Sequence, residues 1–133
     1  MKEEVKNWLH FASEDLKVAK LTLKEEIYNQ VCFHSQQCAE KAIKALILSR
    51  GIVPPKIHKL ADLTNYLNKK YFTKLIRGIL SLDRYYIPTR YPDAAMGMLP
   101  SGLPTKNDAI EALNTAELVL RKAKQILKDK NES

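Results

Sequence analysis

The sequence predicts an all-α fold, an up-and-down bundle of four to five helices with one long proline-rich loop before the last helix. Three observations predict it. Apolar residues recur at three-and-four spacing along most of the chain, the period that lines one face of a helix. No segment shows the alternation of apolar and polar residues that marks a half-buried strand. All six prolines fall outside the periodic stretches, where helices must end. Helices joined mostly by short connections pack antiparallel to their neighbours.

The first helix spans about Glu3 to Lys24, with Val5, Trp8, Leu9, Ala12, Leu16, Ala19 and Leu23 as its apolar stripe and charges on the other face. Trp8 falls at a core position and is expected to pack. A second helix, about Tyr28 to Arg50, spreads Val31, Phe33, Cys38, Ala39, Ala42, Ile43, Ala45, Leu46 and Ile47 over much of its circumference, the pattern of a central helix packed from several sides. Gly51 can take the left-handed capping conformation, and Pro54-Pro55 prevents continuation. Leu60, Leu63 and Leu67 mark a third helix. Phe72, Leu75, Ile76, Ile79 and Leu80 mark a fourth, with a break near Tyr71 to Thr73. Thr105 with Asp108 three residues on resembles a capping box with Asp in place of Glu. It opens a last helix whose stripe is Ala109, Leu113, Ala116, Leu120, Ala123 and Leu127.

A chain of 133 residues, 45% of them hydrophobic, fits one domain over 1–133 that needs no metal or disulfide to hold its core. No run of about 18 apolar residues occurs and the N-terminus is charged, so a soluble, cytoplasmic protein without a membrane segment is expected. Cys32 and Cys38 are turned roughly 240° apart on one helix, so they cannot bridge within it and read as buried hydrophobes in a reducing compartment. The net charge is +7 and lies mainly in the middle: residues 36–70 carry 7 basic and 2 acidic side chains. Such an excess favours anionic partners, and equally suits a solvated surface.

The helical pattern fails from residue 85 to 104, which hold four of the six prolines. A connection this long is either functional or disordered. Its first half continues the segment LDRYYIPTRYPDA, Leu82 to Ala94. There Arg84 and Arg90 can each fork onto a phosphate, while Tyr85, Tyr86 and Tyr91 offer rings for base stacking. The alternative is structural: Arg90 pairs with Asp93 or a helix carboxylate, and the tyrosines seal the end of the bundle. His34, Gln37, Lys41 and Lys44 line one side of the second helix. They can complete an anion pocket with the Arg90 loop, or form a solvated face in which Glu40 partners the lysines. His34 and Cys38 at i, i+4 lack a third and fourth ligand nearby, so no metal is expected, and no cofactor. His58 is expected to cap or orient the third helix.

Three motifs in order, FHSQQCAEKAIKALI (Phe33 to Ile47), IHKL (Ile57 to Leu60) and YYIPTRYPDA (Tyr85 to Ala94), resemble the HEPN domain family (higher eukaryotes and prokaryotes nucleotide-binding), of the small prokaryotic stand-alone type. The resemblance runs from DLKVAK at Asp15 to the final helix. It implies a helical bundle, homodimerisation, and pairing with a small nucleotidyltransferase, as in toxin–antitoxin-like systems. Family ribonucleases are metal-independent and use an Arg followed four to six residues later by a His. This sequence departs from that pattern: its only histidines are His10, His34 and His58, and none follows an arginine at that interval. An arginine alone stabilises charge but does not readily move the protons that cleavage requires. The acidic residue common after the histidine of the second motif is replaced by Lys59.

The resemblance and the residues together give a non-catalytic module that binds a nucleotide or RNA, with Arg84, Tyr86, Arg90, Tyr91, Asp93, His34, Gln37, Lys41 and Lys44 as candidate contacts and no catalytic residue. It would serve as a homodimeric partner of a nucleotidyltransferase. The alternatives are a metal-independent ribonuclease with an unconventional site, such as His34 with Arg84 or Arg90, and a pure protein-interaction scaffold.

Overall fold

In the computed structural model, which describes residues 1–86 and 102–132, the chain forms α1 (Glu3–Lys24), α2 (Tyr28–Ser49), α3 (Leu60–Thr64), α4 (Ile76–Leu82) and α5 (Lys106–Glu132). A 3-10 stretch, Lys69–Leu75, precedes α4, and a single 3-10 turn, Asp83–Tyr85, follows it. The helical architecture read from the pattern is the one observed. Most of the proline-rich segment, with Arg90, Tyr91 and Asp93, lies outside the described residues.

Helix α2 is the centre: α1 and α5 pack along it, and α3 and α4 close over it. This follows from its sequence, since Val31, Cys32, Cys38, Ala39, Ala42, Ile43, Ala45, Leu46 and Ile47 are buried around most of its circumference. Small residues at the crossings, Ala12 and Ala19 of α1 and Ala109, Ala116 and Ala123 of α5, are fully buried and let the long helices approach closely. Gly78 serves the same end in α4. A Cβ there would collide with Thr115 Oγ1 and lie 2.8 Å from its Cγ2, so α4 meets α5 at van der Waals distance only because residue 78 has no side chain.

The ends of the helices are chemically specified. Past α1 the amide of Ile27 donates to Thr22 O at 2.9 Å and that of Glu26 to Leu23 O at 3.1 Å, the paired bonds of a Schellman motif. Glu26 takes the left-handed position that motif requires, at φ 59°, which a glycine would occupy without strain. At the end of α2, Gly51 does so at φ 81°. Thr105 and Asp108 make the reciprocal capping box: the Thr105 amide donates to Asp108 Oδ2 at 2.9 Å and the Asp108 amide to Thr105 Oγ1 at 3.2 Å. The third and fourth helices are shorter than their apolar pattern, because turns and the 3-10 stretch replace α-helix between Thr64 and Ile76 and Phe72 kinks the backbone at φ −118°, ψ 18°. Among the described residues no helix is long and apolar enough to cross a membrane.

Candidate functional site

One broad strip of α2 carries its polar side chains, His34, Gln37 and Lys41 half-buried and Gln36, Glu40 and Lys44 buried. Two carboxylates divide it into two clusters. The first belongs to Asp15 of α1, a buried acid on that helix's apolar stripe. His34 Nδ1 lies 2.9 Å from Asp15 Oδ1, and Lys41 Nζ donates to Asp15 Oδ2 at 2.5 Å. Burial alone would raise the Asp15 pKa, but the hydrogen bonds and charges of His34 and Lys41 outweigh it and hold the carboxyl below its ordinary 3.8.

The second cluster is built on Glu40, only 4% exposed. Lys44, 5% exposed, donates from Nζ to Glu40 Oε2 at 3.1 Å and lies 5.8 Å from the centre of the Trp8 ring, a cation–π contact. On the other side of the carboxylate, His58 Nδ1 lies 3.3 Å from Oε1 and 3.2 Å from Oε2. The fully buried Gln36 donates from Nε2 to the His58 carbonyl at 3.0 Å, and its own Oε1 accepts from Gln37 Nε2 at 2.8 Å. Tyr86 covers one face of the imidazole, with ring centres 4.9 Å apart and planes 21° from parallel. His58 is thus held at its carbonyl, at Nδ1 and on a ring face, yet its side chain stays 44% exposed.

Asp83 fixes this arrangement. Its Oδ1 accepts from the Leu60 amide at 2.6 Å and its Oδ2 from the Ala61 amide at 3.1 Å, capping α3 and tying the turn that bears Tyr86 to the residues just after His58. Burial raises the Asp83 pKa and outweighs the two amide bonds that favour its ionised form. Beside it, Tyr85 is buried with Cys32, and burial pushes the phenol to about 12 and the thiol to about 11. Arg84 is exposed, and its guanidinium donates to the Ser81 carbonyl at 3.3 Å and the Tyr85 hydroxyl at 3.0 Å.

Of the residues picked out from the sequence, the structure therefore brings His34 and Lys41 together on Asp15. It brings Lys44 near Tyr86 through Glu40 and His58. Gln37 bridges toward the second cluster through Gln36, and Arg84 stands two residues before Tyr86 on the same turn. Lys44 is not on a solvated face: its ammonium is buried on Glu40 and Trp8. Nor does the His58 ring cap α3; Asp83 does that, leaving the imidazole to Glu40. Trp8 packs, as its position requires, and also receives the Lys44 cation. Asp15, Asp83 and the His58–Glu40 pair are the site's residues that the sequence does not single out. An acid inside the α1 stripe is the visible signal for Asp15, whereas His58 and Glu40, 18 positions apart, carry no local signal. Among the described residues no group of three or more His, Cys, Asp or Glu side chains is placed to hold a metal. Cys38 is held as a thiol, with burial pushing its pKa to about 12.

Comparison with known proteins agrees with the architecture over nearly the whole chain. The family described as HEPN domain matches residues 5–126. A relative from Methanocaldococcus jannaschii named "Putative toxin MJ1304" is 38% identical over 129 residues, covering 90% of this chain and 85% of its own length. Among solved structures, TT1696 from Thermus thermophilus superposes with a TM-score of 0.77 at 34% identity, covering 93% of this chain and 98% of that one. ST0689, described as an archaeal HEPN homologue, gives 0.71 at 32% identity, covering 94% and 98%. An HEPN domain protein from Thermotoga maritima, tm0613, gives 0.71 at 30% identity, covering 92% and 98%. The chain belongs to the HEPN domain family.

Proposed function

We propose that this HEPN protein is one component of a toxin–antitoxin-like module, that it binds a nucleotide or RNA without cleaving it, and that it acts as a homodimer beside a small nucleotidyltransferase. The observation that carries the binding half is the stack of Tyr86 on a half-exposed His58, two residues from the exposed Arg84. Aromatic planes next to guanidinium donors are what base stacking and phosphate contact require. Arg90 and Tyr91 follow Tyr86 within five residues of chain and extend the same chemistry. The basic excess of residues 36–70 favours an anionic ligand. The missing Arg-to-His spacing supports binding over cutting, and the name of the Methanocaldococcus relative supports the two-component setting.

Fluorescence anisotropy with a labelled single-stranded oligoribonucleotide at low salt tests this reading. The protein should bind, leave the strand intact, and lose affinity as salt rises. Tyr86→Ala should weaken binding by about tenfold or more, since a stacked base contributes roughly 1–3 kcal/mol, and Arg90→Ala should weaken it and flatten the salt dependence. No binding, or variants that match the wild type, would leave a protein-interaction scaffold.

A further inference from the structure

We infer that His58 is a specificity-determining residue that selects ribose over deoxyribose, by accepting a hydrogen bond from a ribose hydroxyl at Nε2. The inference rests on the binding reading above and deepens it to a ligand class, single-stranded RNA rather than single-stranded DNA.

The geometry places a proton on Nδ1. Glu40 is ion-paired with Lys44, and an ionised carboxylate only accepts hydrogen bonds. The ring nitrogen facing it, His58 Nδ1, must therefore carry the proton, as when a carboxylate holds a histidine from behind in metal and catalytic sites. In the neutral ring Nε2 then presents a lone pair, and no partner for it is present among the described residues. A lone pair suits a hydroxyl, and the 2′-hydroxyl is the group that tells RNA from DNA at a given site.

The surroundings support a role beyond packing. A buried ion pair such as Glu40–Lys44 is costly to desolvate and is poor evidence of stabilisation by itself. Here its carboxylate also holds a histidine that remains half-exposed, and the fully buried Gln36 fixes that residue's backbone. Tyr86 locks the plane of the imidazole and so sets the direction in which Nε2 points.

The test compares the affinity of the full chain for one fluorescein-labelled oligoribonucleotide and for the deoxyribonucleotide of the same base sequence. The wild type should prefer RNA by about fivefold to tenfold, the effect of one net hydrogen bond. His58→Asn keeps an N–H where Nδ1 stood and so can still satisfy Glu40, but has nothing in the place of Nε2. His58→Phe keeps a ring to stack on Tyr86. In both variants the RNA-to-DNA ratio should fall to about one, with a melting transition as cooperative as that of the wild type. A wild type that binds RNA and DNA equally, or a His58→Asn protein that keeps its preference for RNA, would overturn the inference while leaving the binding reading intact. Binding of neither strand would overturn both.

Discussion

Glu40 shows how a single side chain can be expensive to keep and more expensive to lose. Its carboxylate serves Lys44 and His58 at once from a position that is almost wholly buried. Glu40→Ala strands the buried Lys44 ammonium and should cost about 3–5 kcal/mol. Adding Lys44→Met to Glu40→Ala removes the stranded charge and should recover most of that loss, as urea unfolding followed by circular dichroism would show. Asp15 behaves differently, because its lysine partner, Lys41, is less buried than Lys44 and its own pKa is lowered. A carboxylate with a depressed folded pKa contributes stability that is fully present above the unfolded value of 3.8 and is lost as pH falls through the folded one. Asp15→Asn should therefore cost about 1.5–3 kcal/mol near neutral pH. The gap between variant and wild type should close as the pH drops below 3.8. A gap that stayed constant down to the acid transition would mean that packing, not charge, holds that site. Neither cluster was legible residue by residue. His34 and Asp15 are 19 positions apart and His58 and Glu40 are 18 apart, so each pair exists only because two segments meet.

Elements were far more legible than contacts, for a physical reason. The bounds of α1 and α2, the Thr105 capping box and the left-handed Gly51 depend on residues within a turn of one another, and such signals survive in one dimension. Where a cap comes from elsewhere in the chain, the signal vanishes. Nothing near Leu60 announces that Asp83, 23 residues on, will receive its amide. The same holds for the α4–α5 crossing, which depends on Gly78 lying against Thr115. Alanine is a better helix former than glycine by about 1 kcal/mol, so helix propensity alone favours Gly78→Ala. The crossing reverses that sign: the added methyl meets Thr115, and overpacking of this kind costs about 1–3 kcal/mol. Thermal melts should show Gly78→Ala destabilised, and Thr115→Ala in the same protein should restore most of the loss. A Gly78→Ala protein that melts higher than the wild type would show that the helices can part without cost.

At the scale of the molecule, α2 organises both the core and the candidate site. Most of its surface buries the core against α1, α3, α4 and α5. The remaining strip gathers two histidines, two lysines and two buried carboxylates, with Asp15 and His58 contributed by the segments packed on either side. The helical class was plain from the apolar period because it repeats over the whole chain. The division of the strip into two paired clusters was not, since it needs Asp15 of α1 brought against Lys41 and His58 brought against Glu40, both from distant parts of the chain. We propose that the ligand meets the face formed by His58, Tyr86 and Arg84. The most direct test is a nitrogen–proton shift titration of isotope-labelled protein with a short oligoribonucleotide, observing the imidazole nitrogens of His58 together with the backbone amides. Saturable shifts are expected at His58 Nε2 and at the amides of Arg84 and Tyr86, with His10, exposed on α1 and outside both clusters, as an unshifted control. Saturable shifts confined to other surfaces, or none at any strand concentration, would contradict it.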